Sequence, residues 1–188
     1  MINPNIIDYK HLHIKILLSL LVFICFFSTL NSIPPLDRDE SRYIQATVQM
    51  LESKDFINIK FLDTPRLKKP PGIYWLQVLS SSAIKNILFL EKAPLWSYRL
   101  PSAIAASISV WLTFLLGKLL FGRIQGFIAA LLLVSSPLIF IESHIAKTDS
   151  VLMACFLYII YILSKIIFDN KFKDIIYSKY LIFFAWCV

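Results

Sequence analysis

Residues 34–43 read PPLDRDESRY, and five of these ten are charged. Acids and bases packed this tightly can do chemistry or can simply shape a helix end. Asp37 suits an N-cap, and Glu40, three residues on, suits its capping-box partner. Asp39 would complement the positive end of the same helix. This structural reading accounts for the acids but not for Arg38 and Arg42, which would share the first turn. The chemical reading is that a carboxylate such as Asp39 can draw a proton from a hydroxyl within hydrogen-bond reach. The neighbouring bases would then stabilise negative charge.

Other residues could join it. Lys69, Arg99 and Arg42 are cations that could stabilise negative charge in a water-poor site. Taken singly, Arg99 is as well explained by snorkelling at a span end, and Lys69 by contact with lipid phosphates. The D-R-D tripeptide at 37–39 fits the D-x-D pattern with which nucleotide-sugar transferases hold a divalent metal. The match is weak alone, and the four glycines, Gly72, Gly117, Gly122 and Gly126, build no phosphate loop. His144, in ESHIAK, is a lone histidine, more often structural than a ligand or a proton carrier. His11 and His13 look incidental.

The elements that must position these residues are apolar. The chain has 188 residues, 57% hydrophobic and only 16% charged, where soluble domains carry roughly 25%. Its formal charge of +7 comes from bases at the ends of apolar runs, which argues for lipid contact rather than nucleic acid. Cys25, Cys155 and Cys187 all lie inside such runs, without C-x-x-C spacing, and read as small core hydrophobes. Uncharged windows predict spans at 16–36, 100–117, 124–141 and 150–164, with a fifth beginning at 180–188. The first exceeds a signal-peptide core and lacks an A-x-A site, so a retained span is expected. Residues 70–84, with PPG, Gln77 and Ser80–Ser82, are too polar for a span and read as an interfacial helix. In 39–54, Tyr43, Ala46, Thr47, Met50 and Leu51 make one stripe of an amphipathic helix. The expected fold is all-α, a multi-span transmembrane bundle with interfacial helices in a first outer loop at 37–99.

Orientation follows from the short loops. Lys10, Lys15, Lys118, Arg123, Lys165, Lys171, Lys173 and Lys179 fall on one side, against Lys147 alone in 142–149. The positive-inside rule therefore predicts a cytoplasmic N-terminus. Residues 37–69 and 142–149 then emerge together outside, so that Asp39 and Asp149 can face one cavity.

Five segments occur in order: DRDESRYIQATVQMLESKDFI, TPRLKKPPGIYWLQVLS, WSYRLPSAIAA, LFGR and SSPLIFIESHIAKTDSVLM. Together they resemble the N-terminal part of the bacterial lipid-linked-sugar glycosyltransferases of the GT-C type. Those enzymes are related to the aminoarabinose transferase of lipid A and to dolichyl-phosphate-mannose protein mannosyltransferases. The resemblance runs from about residue 34 to 165. It implies catalytic roles for Asp39 and Asp149 and substrate-binding roles for Glu40, Arg42, Tyr43, Lys69 and Arg99. Leu67 and Lys68 depart from the family's F-E-K-P-P, whose glutamate helps hold a divalent metal. No metal ligand is therefore assigned, a metal cofactor stays open, and little dependence on added cation is expected.

The resemblance further implies a multi-pass inner-membrane enzyme. It would move a sugar from a polyprenyl-phosphate donor to a lipid, glycan or protein acceptor on the non-cytoplasmic face, with membrane lipids as its other partner. Family members are considerably longer, so this chain is expected to be a truncated N-terminal part, inactive alone. The alternative is a non-enzymatic membrane component, a transporter or assembly-factor piece whose outer loop binds a partner.

Overall fold

The computed structural model describes residues 4–32, 34–35, 38–66 and 69–168. Seven helices and one short hairpin follow in the order α1 (Pro4–Phe27), α2 (Arg38–Ser53), β1 (Lys60–Phe61), β2 (Thr64–Pro65), α3 (Gly72–Ile87), α4 (Leu95–Phe121), α5 (Arg123–Val134), α6 (Pro137–Ser143) and α7 (Asp149–Phe168). The all-α expectation holds, and β1 and β2 add only a two-residue antiparallel ladder that the periodicity did not announce.

α4 is the central element and touches α1, α3, α5, α6 and α7. Its small residues Ala103 and Ala106 meet Leu18, Val22 and Phe26 of α1, spaced at i, i+4 and i+8 along one face, and Ala130 and Val134 of α5 complete this core. α4 and α5 approach so closely that a Cβ at Gly126 would lie 2.5 Å from Lys118 N and 2.6 Å from Phe114 O. Between them Gly122 takes φ +102°, a left-handed value that suits glycine and turns the chain back. A second cluster, Tyr43, Ala46, Met50, Ile59, Ile73 and Tyr74, joins α2, the hairpin and α3.

The spans differ from the uncharged windows. α1 ends at Phe27 rather than at 36, because Ser28 Oγ bonds back to Ile24 O (2.5 Å), a turn follows and Pro34 and Pro35 come next. Its apolar portion, Leu12–Phe27, is shorter than a usual span. The 124–141 window is not one straight helix: α5 and α6 are bent by 64° around Ser135 and Ser136, where Pro137 begins a new helix. Among the described residues two helices, α4 and α7, are long and apolar enough to cross a membrane, or three if the bent pair is one span, where four full spans were expected. α7 takes in Asp149 and runs to Phe168, so the 15-residue window understated it. Residues 180–188 lie outside the described residues.

Of the stripe expected on α2, Tyr43, Ala46, Thr47 and Met50 are inaccessible, while Leu51 is half-buried. α3 is inverted. Its polar residues Gln77 and Ser81 face inward, while Trp75, Leu76 and Leu79 are exposed, a pattern suited to apolar surroundings.

Candidate active site

One ion pair fixes the frame. Glu40 on α2 and Arg99 on α4 are both fully buried; Arg99 Nε donates to Glu40 Oε1 at 2.7 Å and Nη2 to Oε2 at 3.1 Å. This bidentate fork is the strongest geometry a carboxylate and a guanidinium can make. Arg99 Nη1 also donates to Leu30 O (2.9 Å), and Glu40 Oε1 accepts from Ala146 N (3.2 Å). Four chain segments thus converge on two side chains. Gln77 adds a second tie: its amide nitrogen donates to Ala146 O (3.2 Å) and its oxygen accepts from Thr47 (2.7 Å). Ser102 Oγ bonds Lys147 O at 3.2 Å. The turn at 144–148 is therefore clasped against α2, α3 and α4. Glu40 and Arg99, both expected to bind substrate, are inaccessible in this frame and meet each other instead.

Above this frame lies an open cavity of about 440 Å³ lined by Asp39, Arg42, Tyr43, Phe61, Thr64, Pro65, Arg66 and Lys69. It unites two motifs that are 30 residues apart in sequence, bringing Asp39, Arg42 and Tyr43 together with Lys69. Asp39 and Arg42 pair at 3.1 Å, both well exposed. Tyr43 is buried, stacked on Tyr74 with ring centres 5.3 Å apart, and its hydroxyl lies 2.9 Å from Thr148 Oγ1. Burial pushes the Tyr74 phenol up, opposed by its hydrogen bond from Arg66.

Asp149 opens α7 next to Thr148, at an exposed position, and is not among the residues lining this cavity. His144 is buried. Its Nδ1 lies 2.7 Å from Phe140 O and its Nε2 2.8 Å from Thr29 Oγ1, so the neutral Nδ1–H tautomer satisfies both contacts. Burial pulls this imidazole below its usual range, helped by the charge of Arg99. Asp37, Leu67 and Lys68 lie outside the described residues. Among the described residues no three His, Cys, Asp or Glu side chains gather as a metal site. Among the described residues the cavity wall offers one carboxylate and three cations, a lining that does not suit a divalent ion. The residue that motif reading passed over is Arg66. It was legible only as the base preceding L-K-K-P-P, and nothing in its spacing distinguished it from Lys68.

Fold and site define an all-α membrane bundle with a charged cavity beside its interfacial helices. Residues 68–187 match the family described as dolichyl-phosphate-mannose-protein mannosyltransferase, and the chain belongs to that family. Among curated relatives, an undecaprenyl phosphate-alpha-4-amino-4-deoxy-L-arabinose arabinosyl transferase of Pseudomonas savastanoi pv. phaseolicola is 36% identical over 98 residues, 52% of this chain and 17% of its own length. The corresponding transferase 1 of Pseudomonas fluorescens is 32% identical over 113 residues, 59% of this chain and 18% of its own. In three dimensions the chain is similar to ArnT from Cupriavidus metallidurans, solved bound to undecaprenyl phosphate, with a TM-score of 0.75 and 17% identity over 92% of this chain and 30% of that one. The chain therefore spans under a fifth of the length of these curated relatives.

Proposed function

We propose that this chain forms the N-terminal part of a membrane glycosyltransferase, one that moves a sugar from a polyprenyl-phosphate donor to a lipid, glycan or protein acceptor outside the cytoplasm. The curated relatives favour an aminoarabinose-type sugar on an undecaprenyl carrier. The observation that carries the reading is the cavity that unites Asp39, Arg42, Tyr43 and Lys69 from two separate motifs. A lipid-bound donor cannot leave the bilayer, so its reaction needs a site beside the spans. α2 and α3, packed at the end of α4, supply one. Asp39 acts as the base toward the acceptor hydroxyl, and the cations balance the charge that grows on the departing phosphate. Asp149 orients the acceptor from the mouth of α7. The matched stretch is under a fifth of the curated relatives' length, so transfer is not expected from residues 1–188 alone.

The test is sugar transfer by the full-length protein carrying Asp39→Asn. Asparagine is nearly isosteric and caps a helix about as well, so a capping role predicts little change. Loss of the base should lower the rate roughly 10²- to 10⁴-fold with the protein still folded in the membrane. Asp37→Asn is the control and should be tolerated. Transfer at an unchanged rate by Asp39→Asn would remove the central residue of this mechanism.

A further inference from the structure

We infer that Arg66, clamped in an aromatic cradle, is the group that grips the phosphate of the lipid-linked donor, a role expected of Lys69, Arg99 and Arg42 together. This rests on the transferase reading and adds the residue that selects a phosphate ester from its alcohol.

Arg66 enters the site in a fixed register, its backbone N–H bonded to Ile59 O at 2.7 Å where the hairpin closes. Its Nε donates to the Tyr74 hydroxyl at 2.6 Å. The guanidinium carbon sits 5.1 Å from the Tyr43 ring centre and 5.9 Å from that of Phe61. Both distances are within range of a cation–π contact. Tyr43 cannot swing away, because it stacks on Tyr74 and bonds Thr148. The long side chain is thus ordered before any ligand arrives, which removes most of the entropy an arginine ordinarily loses on binding.

Among the described residues no partner is bonded to the two terminal nitrogens, and the residue lines the cavity. Those nitrogens form the planar fork that matches two oxygens of a phosphate. Charge points the same way. Among the described residues of the cavity wall, Arg42 pairs with the carboxylate of Asp39, while Arg66 and Lys69 have no carboxylate within salt-bridge distance. Such a wall favours an anion, and Lys69 supplies a second, less directional contact to it. With Arg99 buried against Glu40 and Arg42 paired with Asp39, Arg66 is, among the described cavity residues, the guanidinium not held by a carboxylate.

The measurement is binding of undecaprenyl phosphate, undecaprenol and inorganic phosphate to the full-length protein in nanodiscs. The unmodified protein should prefer the phosphate lipid to the alcohol. Arg66→Gln should weaken phosphate-lipid binding roughly ten- to hundredfold, as loss of a charged hydrogen-bond pair does, with undecaprenol unaffected. Tyr74→Phe should give a smaller loss and add nothing in the Arg66→Gln background. If Arg66→Gln melts early, Arg66→Lys, which keeps the charge without the fork, decides the matter by losing part of the preference. A preference fully retained in Arg66→Gln or Arg66→Lys overturns the assignment and leaves the transferase reading standing on Lys69 and Arg42. Equal affinity of the unmodified protein for phosphate lipid and alcohol removes both. Inorganic phosphate binding as tightly as the lipid would make this a free-phosphate site and overturn the donor assignment.

Discussion

Glu40 and Arg42 are two residues apart on α2, yet one is wholly buried and the other faces the cavity. Sequence motifs record both as charged members of D-E-x-R-Y and cannot separate a residue that touches ligand from one that holds the wall. Burial separates them. The Glu40–Arg99 pair is a structural bond whose removal leaves an uncompensated charge in the interior, at a cost of about 3–5 kcal/mol. Glu40→Gln or Arg99→Leu should therefore lower the thermal midpoint and the yield of monodisperse protein in detergent. The exposed Asp39–Arg42 pair is worth at most about 1 kcal/mol, so Arg42→Gln should melt near the unmodified protein. A midpoint unchanged in both Glu40→Gln and Arg99→Leu would return those residues to the binding site.

At the scale of elements, the amphipathic stripe of α2 was legible because a 3.6-residue period projects directly onto burial. Tyr43, Ala46, Thr47 and Met50 are the face that packs. The ends of the spans were not legible, because uncharged composition cannot see backbone geometry. Ser28, Pro34 and Pro35 stop α1 within an uncharged run, and Pro137 breaks another into α5 and α6. The contact of α4 with α5 was equally hidden, since Gly117 and Gly126 acquire meaning only when two helices cross. A Cβ at Gly126 would meet the α4 backbone at Phe114, Gly117 and Lys118, which no rotamer change can relieve. Gly126→Ala should destabilise by about 1–3 kcal/mol through forced separation of the helices. Gly72→Ala, with open space around it, should be neutral or slightly stabilising in the same melting assay.

For the molecule as a whole, grouping Asp39 with Lys69 was foreseeable from motif order, whereas Arg66 and its tyrosine cradle needed coordinates. The structure clasps the 144–148 turn to α2 and α3, so these segments share one end of the bundle. The lysine pattern of the short loops predicts that this end faces away from the cytoplasm. Single-cysteine variants in a background free of native cysteines test it. A membrane-impermeant maleimide should label position 55 in intact cells and position 123 only after lysis; the reverse pattern would invert the orientation.

The junction of Glu40 with Arg99 and Ala146 also sets a timetable for biogenesis. Its last contributor leaves the ribosome 106 residues after its first. At about 5–20 residues per second this is an interval of about 5–20 s. During it, α2 holds an acidic side chain whose guanidinium partner arrives first and whose backbone donor arrives last. The newborn N-terminal segment waits, with this contact unmade, until α6 and the turn after it have left the ribosome. Quality-control proteases and insertion chaperones would meet it in that window, and a ribosome stalled before Ala146 would release a chain with its keystone unset.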